Sequence, residues 1–284
     1  MSNITVLYSG TPREVAAVQF ATTVATGLGV GAQCRFVATV RSILDAEQWR
    51  DYQMVVGLEG FTVARPMLEQ EYREQLTERV ATAETAFKML PEARAMTWGS
   101  SIDLERTREP DLAGLGYAHD LMVAGFDTDP VVSDLLIKRI LLDGGGPIAL
   151  VKDPPSTTLA GATVILAWKP GAAAKRAMQS ALPILRAVRR VCVVSIAETG
   201  EPPIAPDAHE IVDYLRNGHH VNAEALALRA ADSPQLQLTE LYREIGAALL
   251  VMGGFSHSWL EELLFGGFTK YFIANRCCNL LLAH

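Results

Sequence analysis

Between residues 162 and 284, five short apolar runs alternate with stretches of helical period, and this alternation constrains the fold more than any other feature. "TVILAW" (163–168), "VCVVSIA" (191–197), "VNAEALAL" (221–228), "ALLVM" (248–252) and "NLLLA" (279–283) are too short for helices and are rich in strand formers. "AAAKRAMQSALPILRAV" puts Met178, Ala181, Leu182, Leu185 and Val188 on one helical face, "EIVDYLRNG" ends at Gly218, and "LTELYREIGA" is helical. Strands that alternate with helices form a parallel sheet covered on both faces, with right-handed crossovers.

Residues 1–152 repeat the scheme. "ITVLYSG" stands where "VILAWKPG" stands later, with Tyr8 and Trp168 160 residues apart. "DLMVAGF" mirrors "ALLVMGGF", but Leu121 and Leu249 are only 128 apart, so the first half carries 32 extra residues between these landmarks. They fall in "DAEQWRDYQMVVGLEGFTVARPMLEQEYREQLTERVATAETAFKML", a helical excursion at about 43–92 with Leu68, Tyr72, Leu76, Val80 and Phe87 in a stripe. Its "EQEYREQLTER" suits either a solvated face with Glu/Arg pairs or a cover for a partner. "KDPPSTTLAG", with two prolines, is the expected linker. The expectation is therefore two α/β units, 1–152 and 162–284, joined by 153–161. Each is an open, mainly parallel, five-stranded, Rossmann-like sheet with helices on both faces.

The composition narrows the function. With 49% hydrophobic and 20% charged residues the chain can bury a large core. A net charge of −7 argues against nucleic acid, whose phosphates need clustered Lys and Arg. No apolar run reaches the roughly 18–20 residues of a bilayer span. "MSNITVLYSG" enters a strand with no room for a signal peptide, and four cysteines without CxxC spacing form neither a disulfide framework nor a zinc site. A cytoplasmic protein with no structural metal is expected.

The closing stretch, "LLVMGGFSHSWLEELLFGGFTKYFIANRCCNLLLAH", runs strand, glycine-rich loop, helix, glycine pair, helix, strand. In that order and spacing, and in the tandem repeat, the chain resembles the two-domain universal stress proteins. The resemblance implies an adenine-nucleotide alpha hydrolase-like α/β fold and last strands that pair the two units as a pseudo-dimer within one chain. Members that bind ATP carry Gly, two residues, Gly, nine residues, Gly and then Ser or Thr. Gly253 and Gly266 fill the first and third positions here, whereas Ser256 replaces the second glycine and Gly267 the hydroxyl residue. Glycines admit backbone N–H groups to phosphates, and a hydroxyl adds a donor. Those members also carry Asp at the end of the first strand, where Lys169 stands in the second half and Ser9 in the first. In the first half "GFDTDPVVSDLLIKRILLDGGGP" places Asp127, Asp129, Asp134 and Asp143 where phosphate would lie, which repels ATP.

The leading expectation is a non-catalytic stress-tolerance protein that acts by binding an unidentified protein partner, with nucleotide binding reduced or absent. The alternative is a switch that binds ATP or AMP with Mg²⁺ in the second half. There Gly253, Ser256, Gly266, Gly267 and Thr269, with His257, Ser258 and Met252 in the same stretch, would surround phosphate. Ala167, Lys169 and Ile196 would line the nucleoside. Two chains could also associate as a homodimer.

Other features have plainer readings. "GLGVGA" (27–32) follows a helix, unlike the dinucleotide fingerprint, and reads as a helix end. His219 and His220, adjacent in sequence, point apart and suit a turn. Cys277 and Cys278 read as small apolar packing sooner than a redox switch, and Trp168 and Trp259 as core or adenine-stacking residues. His257 and Ser258 lack an orienting carboxylate, so no catalytic pair is expected, and a hydrolase or transferase is the least favoured reading.

Overall fold

The computed structural model describes residues 1–39, 74, 77–103, 118–126, 137, 140–141, 144–197, 206–229, 233–254 and 267–284. Ten strands form one open sheet: β1 (Asn3–Leu7), β2 (Gly31–Thr39), β3 (Thr97–Asp103), β4 (Leu121–Gly125), β5 (Ile148–Val151), β6 (Thr163–Ala167), β7 (Arg190–Ala197), β8 (Ala223–Arg229), β9 (Leu249–Gly253) and β10 (Leu280–Ala283). Their order is β3-β2-β1-β4-β5-β10-β9-β6-β7-β8. The five strands of each half therefore take the same order outward from the middle. Every pair is parallel except β5 with β10, where Leu280 faces Leu150 and Leu282 faces Ile148 in antiparallel register. This seam merges the two expected five-stranded sheets into one.

The helices are α1 (Val15–Leu28), α2 (77–88), α3 (Ala172–Ala187), α4 (Pro206–Asp213), α5 (Pro234–Glu244) and α6 (Gly267–Asn275). α1 ends at Gly29 in the left-handed region at φ 64°, so "GLGVGA" is a helix end. α4 continues into a π turn at Tyr214–Gly218. α5 begins four residues before its apolar stripe, with Pro234 in its first turn and the Ser233 side chain accepting from Leu236 N–H.

Strand alternation divides the core into two layers. Ile4, Val6, Val164, Leu166, Val251 and Leu281 pack on one face with α1 and α3. Met122, Leu150, Ile165, Leu250, Leu280 and Leu282 pack on the other with Phe272 of α6. Both layers cross the seam, so the halves share a core. Of the helical stripe expected on α3, Met178, Ala181, Leu185 and Val188 are buried and Leu182 is half-buried.

The crossovers locate the extra residues of the first half. Fifty-seven residues lie between Thr39 and Thr97, against 25 between Ala197 and Ala223. The difference equals the offset found in the sequence. Leu68, Tyr72 and Leu76 lie outside the described residues, but α2 brings Phe87 into the core, 5.3 Å from the Trp98 ring and 6.5 Å from that of Tyr8. In the expected linker, Leu159 is buried against α1, where a Cβ on Gly27 would lie 2.6 Å from its side chain.

Candidate functional site

Ligands of open α/β sheets bind where neighbouring crossovers run in opposite directions, at the carboxyl ends of the strands. Here those switch points lie between β1 and β4 in the first half and between β6 and β9 in the second.

In the first half the protein's own groups fill that position. Glu14, 3% exposed, turns its carboxylate back toward the end of β1. It accepts from Ser9 N–H at 2.8 Å, Ser9 Oγ at 2.9 Å and Thr11 N–H at 3.2 Å. A Cβ on Gly125, at the end of β4, would lie 3.3 Å from Glu14 Cα and Cγ. Above them, Gly10 at φ 93° lies under α2, where a Cβ would be 3.0 Å from Ala83 Cα. Asp127, Asp129, Asp134 and Asp143 lie outside the described residues. Glu14 and Ala83 were not singled out in the sequence; the Ser9–Glu14 separation is a faint signal until β1 is known to end at Leu7.

In the second half Ala167 ends β6, and Trp168 continues the ladder by donating its N–H to Val194 O at 2.8 Å. Trp168 is partly buried against the core, and Lys169 is exposed. Gly253 ends β9 directly against the first turn of α3. A Cβ there would lie 2.6 Å from Ala174 N and 2.7 Å from Ala173 C, so only glycine admits this close approach. Gly253 and Ala174 stand 128 and 160 residues after Gly125 and Glu14, so the two contacts are equivalent. Gly254 N–H donates to Ala283 O at 2.9 Å, which ties the strand end to β10.

Of the residues expected at a nucleotide site, Ala167, Lys169 and Gly253 gather at the ends of these adjacent strands. Met252 is buried in the core layer, and Thr269 is buried on α6. Gly267 opens α6 exposed; among the described residues, its own chain neighbours and helix backbone apart, no atom lies within 4 Å of the position a Cβ would take. Ile196 belongs to β7. Ser256, His257, Ser258 and Gly266 lie outside the described residues, as does Trp259.

At the opposite end of the strands an open groove of about 530 Å³ runs between α3 and the first half, lined by His119, Asp120, Gln179 and Ser180 among others. His119 Nδ1 lies 2.7 Å from Thr5 Oγ1 and 3.1 Å from Asn3 Nδ2, and burial pushes its pKa down. His219 accepts from Arg186 Nη2 at 2.7 Å and packs edge-on against Tyr214, while His220 is exposed at φ 56°. Both are held as turn residues. No helix among the described residues is long and apolar enough to cross a membrane.

No protein-family model matches the sequence, and no curated protein matches it. Solved structures do match its fold. A universal stress protein from Archaeoglobus fulgidus DSM 4304 superposes with a TM-score of 0.61 at 12% identity, over 99% of this chain and 95% of that one. A putative universal stress protein from Pseudomonas aeruginosa UCBPP-PA14 gives 0.55 at 11%, over 100% and 93%. A functionally unknown protein from Pseudomonas aeruginosa PAO1 gives 0.56 at 12%, over 100% and 92%. The chain has the fold of these three structures, the first a universal stress protein and the second a putative one.

Proposed function

We propose that the chain is a tandem universal stress protein that contributes to stress tolerance by binding a protein partner, without catalysis, and with nucleotide binding reduced or absent. One observation carries this reading: at both switch points the strand ends close against the protein's own helix. In the first half the closing group is a buried carboxylate, which occupies the place of an anionic ligand and repels one. The units 1–152 and 162–284 are the two domains of this reading, with 153–161 as their linker and the β5–β10 seam as the pseudo-dimer contact. Cytoplasmic location and a homodimer are part of the same proposal.

A second reading, an ATP- or AMP-binding switch that uses Mg²⁺, draws support from the grouping of Ala167, Lys169 and Gly253 at the ends of adjacent strands. One experiment separates the two. The purified protein is denatured, the supernatant is chromatographed for released nucleotide, and ATP–Mg²⁺ is titrated against the melting temperature. The proposal expects no stoichiometric nucleotide and no shift at about 1 mM ATP. A site with a Kd near 10 μM would instead add about 2.7 kcal/mol at that concentration. Such a shift, strengthened by Gly267→Ser, which restores the hydroxyl, would establish the switch.

A further inference from the structure

Immediately before β10 lie two adjacent thiols in unlike environments. Cys278 is buried, 2% exposed, in the core layer that spans the seam, whereas Cys277 is half-buried beside α5. Cys277 Sγ lies 3.5 Å from Thr239 Oγ1. That hydroxyl also donates to Gln235 O at 2.9 Å, one turn back on α5. A carbonyl inside a helix already accepts an N–H from the next turn, so this second bond is dispensable and the proton is free to turn toward sulfur. The Cys278 thiol is the main hydrogen-bond donor that stabilises a thiolate on Cys277, and Thr239 and Arg243 act in the same direction; together they outweigh burial and lower its pKa to about 6. Cys278 is pushed the opposite way, chiefly by the same bond and by burial. Cys277 is thus the thiol of the pair that solvent reaches, with Cys278 sealed behind it in the core.

The next residue makes this position consequential. Asn279, 5% exposed, holds the seam through its side chain. Its Oδ1 accepts from Lys152 and Asp153 N–H at 2.9 and 3.1 Å, and its Nδ2 donates to Asp153 O and Ala248 O at 3.0 and 3.2 Å. Its N–H donates to Tyr242 Oη at 3.3 Å. A change in the peptide between the two cysteines is therefore felt at the bonds that tie β10 to the ends of β5 and β9.

We propose that Cys277 and Cys278 form a thiol modification site for hydrogen peroxide, in which Cys277 is the attacking sulfur and Cys278 the resolving thiol, and that their oxidation loosens the Asn279 latch. The Cys277 thiolate attacks one peroxide oxygen and the O–O bond breaks. The departing hydroxide takes up a proton to become water, leaving a sulfenic acid on Cys277. The Cys278 sulfur then attacks the Cys277 sulfur. Its thiol proton leaves with the sulfenic oxygen as a second water, and a disulfide joins the neighbours. Two thiols lose two electrons and two protons, and one peroxide is reduced to two waters. This site is independent of any nucleotide.

The test uses the full chain. Native protein is pulsed with iodoacetamide and the four cysteines are quantified by peptide mass spectrometry. Cys277 is expected to react at least about tenfold faster than buried Cys34 and Cys192. Hydrogen peroxide should then lower the intact mass by about 2 Da. The peptide carrying both cysteines should resist alkylation until it is reduced, and the Lys152 and Asp153 amides should exchange hydrogen faster. Cys278→Ser should trap the sulfenic acid on Cys277 as a dimedone adduct, and Cys277→Ser should abolish the reaction. Equal alkylation of all four thiols, an intermolecular disulfide, or unchanged exchange at those two amides would each overturn the proposal, and the wild-type measurements decide it whether or not either variant folds.

Discussion

Replacing Asn279 by alanine tests how the two halves are held together. The side chain makes four hydrogen bonds to backbone groups 31 to 127 residues away in sequence, at the point where β5 leaves the sheet and β10 enters it. Each is worth about 1 kcal/mol net, and a buried partner left unpaired costs about 1–3 kcal/mol. The freed groups differ in what water can do for them. Lys152 and Asp153 are exposed, so their N–H and C=O groups are rehydrated, whereas Ala248 is half-buried and its carbonyl stays poorly paired. The three bonds to rehydrated groups contribute about 3 kcal/mol and the stranded Ala248 carbonyl about 1–3 kcal/mol more, a sum of about 4–6 kcal/mol and a large share of a stability of about 5–15 kcal/mol. At about 2–4 °C per kcal/mol for a chain of this size, Asn279→Ala should melt at least about 8 °C lower, read by circular dichroism or calorimetry. Asn279→Asp sharpens the test. It keeps an acceptor for the two N–H groups but sets a carboxylate against the oxygens of Asp153 and Ala248, so it should be at least as harmful at neutral pH. A loss under about 1 kcal/mol for Asn279→Ala would refute the latch, because it would mean that the apolar β5–β10 contact alone holds the seam.

Three further outcomes can be measured elsewhere in the fold. Gly253→Ala forces a methyl to within 2.6 Å of backbone on α3 and should cost about 1–3 kcal/mol, while Gly254→Ala, whose nearest neighbours are 3.8 Å away, should cost much less; equal urea midpoints for the two would refute the close approach. Burial, then Arg35, lowers the His119 pKa below its ordinary value of 6.5, so the unfolded chain binds more protons just below that pH. Its contribution is complete above pH 6.5 and is lost as the pH falls through the folded value, and His119→Gln should flatten that limb of a stability–pH curve. Asp120, whose pKa is lowered mainly by the Ser2 backbone N–H, adds a separate loss below pH 3.8 as the pH falls through its folded value. A wild-type protein that grows more stable between pH 6.5 and 5.5 would contradict the His119 assignment.

What the sequence disclosed is what depends on local pattern. Strands buried on both faces show as short apolar runs, and "TVILAW", "ALLVM" and "NLLLA" became β6, β9 and β10 within a residue or two. The unequal offsets between landmarks led to the longer crossover of the first half, because chain length between paired strands is itself a sequence property. What stayed hidden depends on contacts between distant residues. Gly253 looks like a phosphate-loop glycine, yet its environment requires glycine for the approach of α3. Asn279 is one polar residue before an apolar run until β5 arrives beside it. Cys277 and Cys278 look alike in sequence, and only the placement of α5 gives one a hydroxyl neighbour and leaves the other in the core.

The comparison of Glu14 with Ala174 carries the functional argument furthest. The two residues sit at equivalent positions, each against the glycine that ends the fourth strand of its half. Identical backbone topology therefore supports opposite chemistry. In the first half the buried Glu14 carboxyl accepts hydrogen bonds from Ser9 and Thr11 at the end of β1. In the second half an alanine supplies no charge, and exposed Lys169 at the neighbouring strand end supplies a positive one. Neither difference disturbs the core or the seam, because both lie beyond the last paired residues of β1 and β6. The shared fold thus constrains the sheet, the crossovers and the antiparallel join, and leaves strand-end chemistry free to diverge between halves. Strand-end chemistry and structural integrity are therefore separable, and Lys169→Ala is expected to leave the melting temperature unchanged.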